Sequence, residues 1–128
     1  MKWLWALMLA AWPAMGQDMG SGERNFDIYC SGCHGEDATG DGVVAMTVDT
    51  PPPDLTRLAE RNGGVFPRAK VVYQIDGRDP VPAHEREMPE YGDLLEGPTQ
   101  AMKTAAGQPI LTSVAIVELV EWLESVQR

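Results

Sequence analysis

Apolar residues recur at three- and four-residue intervals in three stretches of the chain, and each stretch predicts a helix. From Ser21 to Cys33 they fall at Gly22, Phe26, Tyr29 or Cys30, and Cys33, with Glu23 in the first turn, where the helix dipole favours a carboxylate. Gly22 costs about 1 kcal/mol of helix propensity against alanine, and a residue so small would let another helix cross closely. A middle helix is predicted from Pro67 to Asp76, with Val71, Val72 and Ile75 as its apolar face, Pro67 near its first turn and Gly77 ending it. The last helix, Ser113 to Val126, sets Ile116, Leu119, Val120 and Leu123, with Trp122 or Val126, against Glu118, Glu121 and Glu124. Its broad apolar face needs a partner, and the first helix is the obvious candidate.

Two polar stretches separate these helices. Gly35 to Thr56 carries Gly35, Gly40 and Gly42 and then Pro51-Pro52-Pro53, so it reads as a long loop. A loop this long inside a compact domain is usually functional or disordered. Arg78 to Pro89 is interrupted by Pro80, Pro82 and Pro89 and reads as a second loop, carrying His84 and Met88. The N-terminus has a different pattern: Lys2 precedes an almost wholly apolar run from Trp3 to Trp12, and Ala14-Met15-Gly16 offers a small-x-small cleavage site. Residues 1–16 are therefore expected to be a cleaved signal peptide and residues 17–128 one exported domain. The apolar run falls short of the roughly 20 residues needed to span a bilayer, and no cysteine follows it to anchor a lipid. An uncleaved leader is the alternative.

Composition narrows the partners. The chain carries a net charge of −9, and loss of Lys2 with the leader would make it one unit more negative. Phosphates would repel such a surface, which excludes nucleic acid. Partners should present basic patches, with encounter weakening as salt rises.

The chemistry lies in Cys30-Ser31-Gly32-Cys33-His34. A CxxCH run is the attachment signature of a c-type haem. The two thiols add across the two vinyl groups of the porphyrin, and the histidine binds the iron from one side. Two residues between the thiols, on a turn of helix, put both sulfurs on one edge of the macrocycle. A redox dithiol would expect a βαβ setting, and none surrounds the motif. Four-ligand zinc wants more soft ligands than Cys30, Cys33, His34 and His84, which are all the chain has. As a disulfide the pair would close a loop too small to staple a fold. A carbonyl of Pro51, Pro52 or Pro53 could accept the Nδ1 proton of His34 and fix its tautomer.

A six-coordinate iron needs a second ligand, for which Met19, Met46, Met88, Met102 and His84 are the candidates. Met88 is favoured, because the proline after it biases it to an extended backbone in a loop able to reach over a ring. Met46 lies in the loop expected to serve the proximal side. His84 would give a bis-histidine haem of lower potential, and an open position remains a further possibility.

These residues together resemble the class I cytochromes c, and more narrowly their bacterial periplasmic monohaem members. The resemblance runs through Gly22, Phe26 and Cys30 to Gly35, through Gly40-Asp41-Gly42 and Pro53-Asp54-Leu55-Thr56, and through Asp76-Gly77-Arg78, Met88-Pro89-Glu90-Tyr91-Gly92 and Trp122. It implies an all-α class I cytochrome c fold, three main helices plus long loops wrapped around one covalently attached haem, with Gly22 and Phe26 meeting Trp122 where the first and last helices cross. It implies Met88 as the distal ligand, and Arg78 and Tyr91 as groups aimed at a haem propionate. His84 is expected at the surface or at a propionate.

The function expected is that of a periplasmic electron carrier, a monomer of one domain, that passes one electron through a His/Met-ligated haem c and is not an enzyme. It would meet the membrane only through a partner complex or an uncleaved leader. The alternatives are an open-coordination haem protein that binds ligands or catalyses, and a fixed electron-transfer subunit of a dehydrogenase or oxidase complex.

Overall fold

A computed structural model of the chain describes residues 20–79 and 87–128. The expected leader, Met19 and His84 lie outside the described residues. Among the described residues five α-helices follow one another as α1 (Ser21–Tyr29), α2 (Ser31–His34), α3 (Leu58–Arg61), α4 (Arg68–Asp76) and α5 (Val114–Ser125), and two strands, β1 (Thr99–Lys103) and β2 (Pro109–Ser113), precede α5. Single 3-10 turns at Ala45–Thr47 and Leu55–Arg57 interrupt the long first loop. Among the described residues no helix is long and apolar enough to cross a membrane.

The expectation of an all-α fold with three main helices does not hold. Thr99–Lys103 and Pro109–Ser113 pair as an antiparallel hairpin, with Met102 opposite Ile110 and Gln100 opposite Thr112. The reason is local. Met102, Ile110 and Thr112 are buried while Ala101 and Leu111 are exposed, so the pair presents one inward face with the two-residue period of a strand. Pro109 sits at the first position of β2, where its missing N–H breaks no central ladder. The hairpin also sets the start of α5: Ser113 ends β2 and caps the helix, its Oγ accepting from the Ile116 N–H at 3.2 Å and donating to the Leu95 carbonyl at 2.5 Å.

The predicted first helix is two pieces. Cys30 leaves helical geometry at φ −120°, so α1 and α2 meet at an angle at the first cysteine of the motif. The short helix α3 and the 3-10 turn before it were not predicted. They are tied to the C-terminus by Gln127, whose amide accepts from the Ala59 N–H at 3.0 Å and donates to the Leu55 carbonyl at 2.8 Å.

The core lies where α1 crosses α5. Phe26, Ile116, Leu119, Val120 and Leu123 are all buried there, and the Phe26 and Trp122 rings stand 4.6 Å apart between centroids, tilted by 35°. Gly22 is the contact point. A Cβ at this position would collide with the Glu118 carbonyl oxygen and lie 2.7 Å from its carbon and 3.0 Å from Trp122 Cβ. Helix α4 also packs against α5, with Val72 and Ile75 buried, and ends at Gly77, which takes a left-handed φ of 89°.

Gly22→Ala should therefore force the two helices apart, because the atoms in the way are α5 backbone. The expected cost is about 1–3 kcal/mol, typical of overpacking at a tight contact, despite alanine's better helix propensity. Denaturant unfolding of the Gly22→Ala protein against the parent checks it. Equal or greater stability would mean that the crossing can open without loss.

Candidate functional site

The CxxCH segment is held from outside by the loop that follows it. The Gly42 N–H donates to the Cys33 carbonyl at 3.1 Å, the Val44 N–H to the Gly32 carbonyl at 2.9 Å, and the Gly40 N–H to the His34 carbonyl at 2.7 Å. Gly42 runs so close that a Cβ there would lie 2.5 Å from the Cys33 carbonyl carbon. Backbone bonds thus bind the loop to α2 while leaving the motif's side chains to face the interior.

They face a cavity of about 590 Å³, within the range of roughly 300–1,000 Å³ usual for cofactor and ligand sites. Cys30, Cys33, His34, Met88 and Tyr91 all line it. Its apolar walls come from Pro51, Pro52 and Pro53, from Leu55 and Leu58, and from Val71, Ile75 and Leu123. The motif supplies one wall, the proline run and α3 a second, and α4 with the segment at Met88 a third.

The two cysteines are free thiols, each half-buried. Burial, and then the neighbouring Cys33, push the Cys30 thiol up to about 12, so it stands uncharged against the apolar wall at neutral pH. His34 is buried. That burial lowers its pKa, against a smaller opposing pull from the Pro53 carbonyl, and the ring is neutral, the form in which imidazole ligates a metal. Pro53 is the proline of the run whose carbonyl bears on the ring. Even so, Nδ1 of His34 is buried without a partner of hydrogen-bonding geometry.

Met88 is half-buried and accepts at Sδ from the Gln74 side-chain amide at 3.9 Å. The other described candidates for a second ligand stand elsewhere. Met46 is 96% exposed, and Met102 is buried in the core under the hairpin; neither lines the cavity. Tyr91 is fixed by its N–H donating to the Ile75 carbonyl at 2.8 Å, with its ring centroid 6.1 Å from that of Tyr29. Burial first, then Cys30 and Cys33, raise the pKa of its hydroxyl, which remains a neutral donor.

Arg78 is not brought to the cavity. Its guanidinium donates to Asp76 at 2.8 and 2.5 Å and to the Leu111 carbonyl at 3.0 Å, and stands 4.8 Å over the Tyr73 ring. The cations that do line the cavity are Arg61 and Lys70, both exposed and so at its mouth. The sequence reading passed over these two and Gln74. A signal was there: Lys70, Val71, Gln74 and Ile75 share one face of α4 at helical spacing, whereas the face expected from the sequence is Val71, Val72 and Ile75.

Among the described residues no group of three or more His, Cys, Asp or Glu side chains could hold a metal ion unaided. A haem asks less of the protein, since the porphyrin brings its own ring nitrogens and needs only axial residues. Two free thiols, a neutral imidazole, a thioether, apolar walls and two cations at the mouth are residue types that suit it. No family model matches the chain, and no curated protein or solved structure matches it.

Asp54 follows Pro53 and holds that part of the wall by accepting from the Thr56 N–H at 2.9 Å and the Thr56 hydroxyl at 2.6 Å. The Thr56 hydroxyl is the main reason its pKa lies below the ordinary aspartate value. A carboxyl with a depressed folded-state pKa stabilises the fold above its unfolded pKa of about 4, and that contribution is lost as pH falls through the lower folded value. The parent should thus lose stability with acid more steeply below about pH 4 than Asp54→Asn does. Urea midpoints at a series of pH values measure this, and parallel curves would show that Asp54 takes no part in the acid response.

Proposed function

We propose that this chain is an exported one-electron carrier that holds one haem c through Cys30 and Cys33, with His34 and Met88 as the axial residues. The observation that carries the reading is the lining of one cavity by all four side chains of the CxxCH and Met-Pro patterns, although Met88 lies 54 positions beyond His34 in the chain. Of the described alternatives for the second axial position, Met46 and Met102 lie outside that lining, which favours Met88. The resemblance of these motifs to class I cytochromes c points the same way.

Bound haem would supply a reversible one-electron couple, and holding it with methionine and histidine would raise its potential relative to two histidines. The protein's part is to hold and to exclude. Cys30 and Cys33 would keep the group from being lost outside the cell. His34, kept neutral by burial, offers a lone pair without first losing a proton. The Gln74 amide steadies the Met88 thioether in place. Pro52, Leu55, Val71 and Ile75 supply apolar walls that would exclude water from the ring. Arg61 and Lys70 are the cations available to the carboxylates of such a group, and Arg78 is committed to Asp76. The signal-peptide pattern in the sequence of residues 1–16 supports a periplasmic location, and the net charge of −9 supports basic redox partners.

Purified exported protein, denatured in pyridine, should contain one covalent haem per chain. The native spectrum should be low-spin, with a sulfur-to-iron band in the oxidised form and no response to carbon monoxide. Met88→Ala should turn it high-spin and carbon monoxide-sensitive. Absence of covalent haem, or an unaltered spectrum in Met88→Ala, would overturn the assignment.

A further inference from the structure

The loop that covers the CxxCH backbone turns apolar side chains toward solvent. Val43 is 92% exposed, Met46 is 96% exposed, and Val44 between them is 40% exposed. None of the three lines the cavity. Single exposed hydrophobic residues are ordinary, but a contiguous group of them marks a surface for a partner. The site of this group matters as well. The Gly42 and Val44 N–H groups bond to the carbonyls of Cys33 and Gly32, so one layer of backbone separates the patch from the cavity wall formed by Cys33.

Charge decides the occupant. Between Arg24 and Arg57 the chain has no lysine or arginine, while Asp27, Glu36, Asp37, Asp41 and Asp49 are all exposed. Asp41 and Asp49 flank the patch in the chain, and Glu36 and Asp37 follow α2 directly. A second copy would bring acid against acid, and an anionic lipid surface would be repelled in the same way. A protein with an apolar socket ringed by lysine or arginine meets both features at once.

We infer that Val43, Val44 and Met46 form the docking surface of this protein for its electron-transfer partner, and that the partner presents an apolar socket within a basic rim. This rests on the proposed haem reading and deepens it by naming where electrons leave. A small apolar centre with a charged surround suits a contact that must form quickly and release quickly.

The test uses the holoprotein and, as probe, a lysine-rich cytochrome c of mitochondrial type, with electron transfer followed by stopped flow. Val43→Ser combined with Met46→Ser should lower the second-order rate with this probe by about tenfold. It should leave reduction by the small complex hexaammineruthenium unchanged. Leu111→Ser, on an exposed residue of β2, should change neither rate. The rate with the protein probe should also fall as salt is raised. In the parent protein, amide shifts caused by the probe should centre on residues 42–47. A double variant that reacts with the probe like the parent, shifts centred elsewhere, or an equal slowing by Leu111→Ser would overturn the docking surface while leaving the haem reading intact. A parent protein without covalent haem would overturn the haem reading itself, and this inference with it.

Discussion

The close passage of α1 over α5 at Gly22 is the constraint on which the rest of the structure depends. Contact between Gly22 and the Glu118 backbone brings Phe26 against Trp122 and sets the direction in which α1 delivers Cys30. Because α1 ends there and α2 starts afresh at Ser31, the two cysteines and His34 turn away from the helix crossing and into the cavity. Leu123 of α5 and Phe26 of α1 reach the same cavity from beneath, so core and site share a wall. A change in the crossing would move the motif as well as the core.

A second layer of restraint comes from backbone alone. The loop after the motif makes hydrogen bonds to the carbonyls of Gly32, Cys33 and His34, and its far end returns the Leu55 N–H to the carbonyl of Ala38 at 2.8 Å. Pro51, Pro52 and Pro53, which have no N–H to satisfy, can then stand against an apolar space without stranding a donor. This accounts for a long stretch of little regular structure inside a small domain: its polar groups bond to α2, within the loop, and to Glu87, Arg61 and Arg128 around it.

Helix periodicity was enough to find the main elements of the core. The α5 face of Ile116, Leu119, Val120 and Leu123 is buried as its spacing predicts, and of the α4 face of Val71, Val72 and Ile75 the last two are buried and Val71 is half-buried. The hairpin was not legible, because Thr99–Lys103 is mostly polar and its inward positions number only Met102 there and Ile110 and Thr112 opposite. Two or three alternating residues give too short a pattern to separate from a loop. The break at Cys30 was hidden for a different reason: the three- and four-residue spacing continues through it, and only the backbone angle records the change. Within the site, Cys30, Cys33, His34, Met88 and Tyr91 could be named from motifs, whereas Gln74, Arg61 and Lys70 matter through position on elements that bring no motif. Arg78 shows the reverse case. The resemblance implied a role for it at a haem propionate, but a carboxylate two residues away and a carbonyl on the unpredicted β2 strand hold it elsewhere.

The buried imidazole of His34 joins the loop to the chemistry proposed for the cavity. Burial disfavours its charged form, and the Pro53 carbonyl pulls the other way with less effect. The ring is therefore neutral, and one nitrogen must carry a proton while the other keeps a lone pair. With Pro53 the carbonyl bearing on the ring, a proton on Nδ1 is the arrangement that carbonyl favours, leaving the lone pair on Nε2 for a metal. That Nδ1 lacks a well-formed hydrogen bond leaves a buried donor unsatisfied, which ordinarily costs about 1–3 kcal/mol. A small approach of the proline wall toward His34 would complete the bond and tighten the cavity in the same movement. Asp54, which follows Pro53 and is braced by Thr56 two residues on, holds that part of the wall.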